Sequence, residues 1–84
     1  MRYSLKIKQS AFKELQRLGK KERRRIVEAI DQLAEHPHVG KLLKGSLSGL
    51  RRIRVGNYRI IYEINEGEVL ILVLRIAHRR QVYR

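Results

Sequence analysis

The side chains with chemistry to offer gather in the second half of this chain. Every lysine lies at or before Lys44; beyond it the basic residues other than His78 are all arginines, namely Arg51, Arg52, Arg54, Arg59, Arg75, Arg79, Arg80 and Arg84. A guanidinium is a planar fork that grips phosphate bidentately, whereas lysine is a point charge on a flexible stem. The first half therefore reads as general electrostatics and the second as a phosphate site. The closing run AHRRQVYR, residues 77–84, adds His78 and Tyr83. These are the groups nearby that can move or hold protons near neutral pH. The alternative is a solvated basic tail, for which Val82 and Tyr83 would have no use.

Register sharpens the phosphate reading. Gly56 and Asn57 have the composition of a two-residue hairpin turn. With that loop, Val55 pairs with Tyr58, Arg54 with Arg59, and Ile53 with Ile60. Alternation then puts Arg52, Arg54 and Arg59 on one face and Ile53, Val55 and Ile60 on the other. The apolar set must face the interior, so three guanidiniums share the outer face. Like charges directly opposed across strands cost roughly 0.2–1 kcal/mol, which a fold tolerates when an anion fills the gap. Three arginines splayed into water are the competing reading. A loop of another length would break the pairing of Arg54 with Arg59.

The elements that must position these residues follow from periodicity. Residues 3–7 alternate as a first strand. Ser10 suits an N-cap, and Phe12, Leu15 and Leu18 share one face of a short helix. Gly19 fits the left-handed position that ends it. A second helix, over 20–36, carries Ile26, Ala29, Ile30, Leu33 and Ala34 at a period of 3.6 and is stopped by Pro37. Residues 37–49 read as a loop. Strands are expected over 50–55, 58–65 and 68–76, with Glu66-Gly67 as the second hairpin turn. The order is β-α-α-β-β-β: an α+β fold in which a small antiparallel sheet of about four strands is backed on one face by an αα-hairpin, its other face left open.

Composition bounds the function. The 84 residues make a single domain, 1–84, with 20 Lys and Arg against 8 Asp and Glu, a net charge of +12. So small a chain buries only roughly 60% of its unfolded surface. A compact domain that basic repels itself and calls for a polyanion. No apolar run is long enough to span a membrane, and the first ten residues lack the apolar stretch of a signal peptide; the expected address is the cytoplasm. The absence of cysteine excludes disulfides and thiolate metal sites. His36 and His38 flank Pro37 with no third ligand, a poor metal site, and they read as loop residues. No cofactor is expected.

The segments LSGLRRIRVGNYRIIYEI (47–64) and VLRIAHRRQVYR (73–84), with the helix hairpin ending in L…HP at 33–37, resemble the RelE branch of the RelE/ParE toxin superfamily. The resemblance covers nearly the whole chain. It implies a type II toxin that enters the ribosomal A site and cuts mRNA by transesterification, leaving a 2′,3′-cyclic phosphate. It implies that Arg52, Arg54, Arg59, Arg79 and Tyr83 occupy the positions of that branch's active residues. Arg59 and Arg54 then hold the phosphate, Arg79 serves the leaving oxygen, and Tyr83 stacks on a base or orients the ribose. The branch has lysines at Arg52 and Arg54; arginine is a poor general base. Either these arginines act only electrostatically, or another group is the base. His78 is the candidate, against a packing or hydrogen-bonding role. A related toxin uses a glutamate, and Glu63 is the strand carboxylate on the arginine side, read as a charge partner. Expected partners are the ribosome, mRNA and a cognate antitoxin that folds on binding, one helix wrapping the toxin. The free toxin is expected as a monomer and the complex as a higher-order assembly. Competing functions are a ParE-like inhibitor of DNA gyrase, disfavoured by the retained terminal tyrosine, and a non-catalytic basic nucleic-acid-binding module.

Overall fold

Two amphipathic helices and five short strands account for the hydrophobic pattern. In a computed structural model that describes residues 2–80, β1 (Ser4–Ile7) leads into α1 (Gln9–Gln16) and α2 (Lys20–Leu33). A 3-10 turn at Pro37–Val39, the two-residue β2 (Lys41–Leu42) and a second 3-10 turn at Gly45–Leu47 follow. The chain closes with β3 (Arg51–Val55), β4 (Tyr58–Asn65) and β5 (Leu70–His78). The sheet order is β1-β5-β4-β3-β2. β3, β4 and β5 form the expected antiparallel meander, while β1 lies parallel to β5. The sheet thus has five strands and is mixed, where four antiparallel strands were expected. The added strand comes from the segment read as loop, whose Lys41 and Leu42 pair with Arg52 and Arg51. No helix among the described residues is long and apolar enough to cross a membrane.

The core lies between the helices and one sheet face. Ala11 and Leu15 of α1 and Ile26, Ile30 and Leu33 of α2 pack on Ile60, Tyr62, Ile71, Val73 and Ile76. Burying each large aliphatic side chain contributes about 1.5–3 kcal/mol, which fixes which face of every strand turns inward. Helix details differ from the sequence reading. α1 starts a residue before Ser10, and its N-cap is Lys8, without a side-chain cap bond. Its buried stripe runs through Ala11 and Leu15, and Phe12 is 45% exposed. Gly19 is extended, with φ −64° and ψ 159°, and serves as the N-cap of α2 rather than ending α1 in the left-handed region. α2 ends at Leu33, three residues before the expected His36.

A polar latch fastens the 37–40 segment to the sheet. The Tyr62 hydroxyl donates to the Pro37 carbonyl at 2.6 Å and accepts the Gly40 N–H at 3.0 Å. Gly40 lies so close that a Cβ there would overlap the hydroxyl. Arg51 Nη1 donates to the Gly40 carbonyl at 2.9 Å. Further along, the Tyr3 hydroxyl donates to Glu66 Oε2 at 2.7 Å, and His38 Nε2 lies 3.0 Å from Glu66 Oε1. His38 is therefore engaged with a carboxylate. The Tyr3 hydrogen bond, aided by His38 and Arg51, holds the Glu66 carboxyl below its ordinary value, and burial raises the Tyr62 phenol.

Tyr62→Phe would leave the buried Pro37 and Gly40 backbone groups without their partner, an expected loss of about 1–3 kcal/mol in urea unfolding. Because the Glu66 pKa is lowered on folding, its contribution is present above its ordinary value of 4.5 and is lost as pH falls through the folded value. Unfolding midpoints of Glu66→Gln should therefore converge with those of the parent chain toward acid pH and separate from them above it.

Candidate phosphate-binding site

The hairpin register is the one alternation demands. Arg54 faces Arg59, Ile53 faces Ile60 and Val55 faces Tyr58. Ile53, Val55 and Tyr58 pack against the core, so Arg52, Arg54 and Arg59 share the opposite face. That face is not bare. Ile61, across from Arg52, is 3% exposed, and Ala77, across from Arg59, is 1% exposed. The arginines thus neighbour buried apolar groups, where solvent screens charge less than in open water. Arg54 is exposed, while Arg52 and Arg59 are half-buried. The Nε of Arg52 is buried with no hydrogen-bond partner among the described residues.

Arg79 is brought to the same place by the backbone. Its N–H donates to the Asn57 carbonyl at 2.6 Å, tying the chain beyond β5 to the tip of the β3–β4 hairpin. Gly56 holds φ +58° at that tip, and the Arg25 guanidinium of α2 lies against it, 3.3 Å from where a Cβ would stand. The result is a hollow of about 270 Å³ lined by Arg54, Gly56, Tyr58, Arg59 and Arg79, with no carboxylate in its wall among the described residues. Arg52 adjoins it without lining it.

A bulge in β5 sets which side chains reach this face. Ile61 faces Arg75 and Tyr62 faces Val73, so Leu74 is an extra residue. Before it, Ile71 and Val73 point into the core; after it, Ile76 does, Ala77 turns to the arginine side, and Arg75, opposite Ile61, reaches over the strand edge toward Glu14. β1 ends opposite Val73, which leaves the edge of β5 uncovered from there on. The Glu14 carboxylate covers it, Oε1 accepting the Ile76 N–H at 3.2 Å while Oε2 lies 3.8 Å from Arg75 Nε. Sequence reasoning missed Glu14 and Arg25, and an unbroken apolar run such as LILVL carries no mark of the bulge.

The other expected site residues divide. His78 pairs with Tyr58 in the ladder, and the two rings meet edge-to-face with centroids 5.3 Å apart. That is the helix side of the sheet, so the fold does not bring the imidazole among the arginines; His78 Nδ1 instead accepts the Arg80 N–H at 3.2 Å. Glu63 is exposed on the arginine face, but four residues along a strand from Arg59 is about 13 Å, too far to serve one phosphate held there. Tyr83 lies outside the described residues.

Comparison with known proteins identifies the family and the fold. Residues 5–83 match the sequence model of the family described as the ParE toxin of the type II toxin-antitoxin system parDE. Toxin RelE of Mycobacterium tuberculosis is 37% identical over 84 residues, spanning 98% of this chain and 87% of that protein. Toxin RelG of the same organism is 33% identical over all of this chain and 99% of its own. The toxin-antitoxin complex RelBE2 from M. tuberculosis contains a chain that superposes with a TM-score of 0.86 at 31% identity, over 94% of this chain and 100% of that one. The chain belongs to the RelE/ParE toxin superfamily, on its RelE branch. The family model carries the ParE name, but Toxin RelE and Toxin RelG match over nearly all of this chain and 87% and 99% of their own, so they decide the branch. An archaeal RelE–RelB complex from Pyrococcus horikoshii contains a similarly matching chain, with a TM-score of 0.78 at 32% identity, 98% of this chain and 100% of that one.

For this RelE-branch toxin, Glu14→Leu should uncover the Ile76 N–H and lower stability by about 1–3 kcal/mol in chemical denaturation, whereas Glu14→Gln, which keeps an acceptor oxygen, should lose less.

Proposed function

We propose that this toxin is a ribosome-dependent endoribonuclease that cuts mRNA in the A site by transesterification. The observation that carries the reading is the hollow in which Arg54, Arg59 and Arg79 converge. Cleavage passes through a phosphorane that bears more charge than the diester. Fixed cations aimed at that charge stabilise it most where solvent is excluded. In the reaction the ribose 2′-oxygen attacks phosphorus, the bond to the 5′-oxygen breaks, and a 2′,3′-cyclic phosphate remains. The 2′-hydroxyl proton leaves to a base and the departing 5′-oxygen takes a proton.

Arg54 and Arg59, held face to face, suit the two non-bridging oxygens. Arg79, held by the hairpin tip, suits the leaving oxygen, and Arg52 extends the cationic face. Tyr83 is assigned to stacking or to orienting the ribose. Arginine keeps its proton, so these groups act as electrostatic clamps. His78, across the sheet against Tyr58, suits positioning of the 79–80 segment better than proton abstraction at phosphorus. The 2′-hydroxyl proton then passes to water, its loss made easier by the surrounding positive charge.

The solved relatives RelBE2 and the archaeal RelE are complexes of toxin with antitoxin. By that likeness the protein has a cognate antitoxin. We further propose, from its sequence resemblance alone, that a helix of the antitoxin wraps it, that it acts in the cytoplasm and that it is monomeric when free.

Induction in a host cell with primer-extension mapping tests the reading. Cuts inside translated frames are expected, absent when translation is blocked. Arg59→Ala should slow single-turnover cleavage by about 100-fold or more, the scale of losing one preorganised donor. His78→Ala should slow it far less, and the rate should keep rising with pH through the imidazole range. Growth arrest with intact message and altered supercoiling would point to gyrase and refute the nuclease.

A further inference from the structure

The uncovered edge of β5 carries a second cationic hollow, on the far side of His78 from the arginines. It measures about 450 Å³ and is lined by Lys8, Ser10, Lys13, Glu14, Arg17, Leu74 and Arg75. Four cations surround one carboxylate, and that carboxylate is already committed to the Ile76 N–H and to Arg75. The hollow therefore has a net positive wall and a hydroxyl, Ser10, at its rim.

It is not isolated. A third hollow of about 240 Å³ shares Glu14 and Arg17 with it and is otherwise lined by Leu18, Tyr58, Ile76 and His78. Tyr58 also belongs to the wall of the arginine hollow. The three thus stand in file around the end of the sheet: cationic, then ring-lined, then cationic. That order of stations is the order a single nucleic-acid strand offers, since its phosphates seek cations and its bases seek ring faces.

We propose that this file is the path of one RNA strand, with the scissile phosphate at Arg54 and Arg59, an unstacked base beside Tyr58 and His78, and a neighbouring phosphate among Lys13, Arg17 and Arg75. The inference rests on the nuclease reading and extends it from a cutting point to a strand-binding track. It gives Lys13 of α1 and its C-cap residue Arg17 a task separate from catalysis.

The test uses 2′-O-methyl RNA, which cannot undergo the transesterification, as a fluorescent dodecamer and as a dinucleotide, whose single phosphate cannot occupy both cationic hollows. Anisotropy is followed from 50 to 200 mM salt, where single-strand binding loses about 0.7 in log–log slope per phosphate contact. Lys13→Ala/Arg17→Ala changes two exposed residues, one in α1 and one at its C-cap. It should lower the dodecamer slope by about 0.7, the share of the one phosphate placed there, and weaken dodecamer binding several-fold, with dinucleotide binding unchanged. Lys20→Ala/Arg24→Ala removes the same charge from α2 and should leave the slope alone. If the two double variants behave alike, net charge explains the effect and the track is overturned. Loss of binding to a labelled poly-glutamate peptide, with RNA binding intact, would overturn it too and make α1 a protein dock. Arg54→Ala/Arg59→Ala separates the two readings: undiminished dinucleotide binding in that variant would sink the phosphate assignment itself, whereas lost dinucleotide binding beside an unchanged Lys13→Ala/Arg17→Ala slope would sink only the track.

Discussion

A two-residue turn forces two guanidiniums to face each other, and the rest of the molecule makes that arrangement unavoidable. Slipping the β3–β4 register by one residue would relieve Arg54 and Arg59 of their repulsion, roughly 0.2–1 kcal/mol. With β3 as the strand that slips, it would also turn Ile53 and Val55 outward, each at about 1.5–3 kcal/mol, and drive arginines into the core. Burial wins several-fold. The helix pair is therefore part of the site in an energetic sense: without the apolar face it covers, nothing would hold the charges together.

The same logic extends to Arg79, by a different device. Three strands of strict alternation would aim the end of β5 the wrong way, because residue 79 shares the parity of the core residue Val73. The extra residue at Leu74 reverses that parity, and the Asn57 carbonyl then takes the Arg79 N–H. Glu14 makes the bulge tenable where β1 has run out, since an edge amide next to a packed helix needs an acceptor. One carboxylate on a helix thus shapes the cationic face of the sheet on the other side of the core.

Residues whose roles follow from local pattern were legible in the sequence, and residues whose roles depend on distant partners were not. The Gly56-Asn57 turn, the pairing of Arg54 with Arg59 and the burial of Ile26, Ile30 and Leu33 are set by turn chemistry and by periods of 2 and 3.6. The parallel placement of β1 beside β5 joins residues more than sixty positions apart, and no local signal marks it. β2 is two residues long and exposed, held by the β3 ladder rather than by propensity. The second hairpin turn was read as Glu66-Gly67, yet it spans 66–69 and places Val69 at φ 54°, an unfavourable setting for a β-branched residue that composition would never suggest. Gly19 misled for a related reason: glycine is allowed both to end a helix and to start one, and the immediate entry into α2 selects the second.

Arginine in place of lysine changes what kind of catalyst such a face can be. A lysine can lose its proton when crowded by other cations, so a lysine-bearing site can trade charge for basicity. A guanidinium cannot, and crowding several together only concentrates positive potential. Packed beside Ile61 and Ala77 rather than in open solvent, that potential is screened weakly and stays constant across physiological pH. On the nuclease reading, such a site stabilises charge at phosphorus and leaves proton removal to the medium. The hairpin's geometry and the chemistry of its side chains then point the same way, because a clamp of fixed charge depends on register far more than on titration.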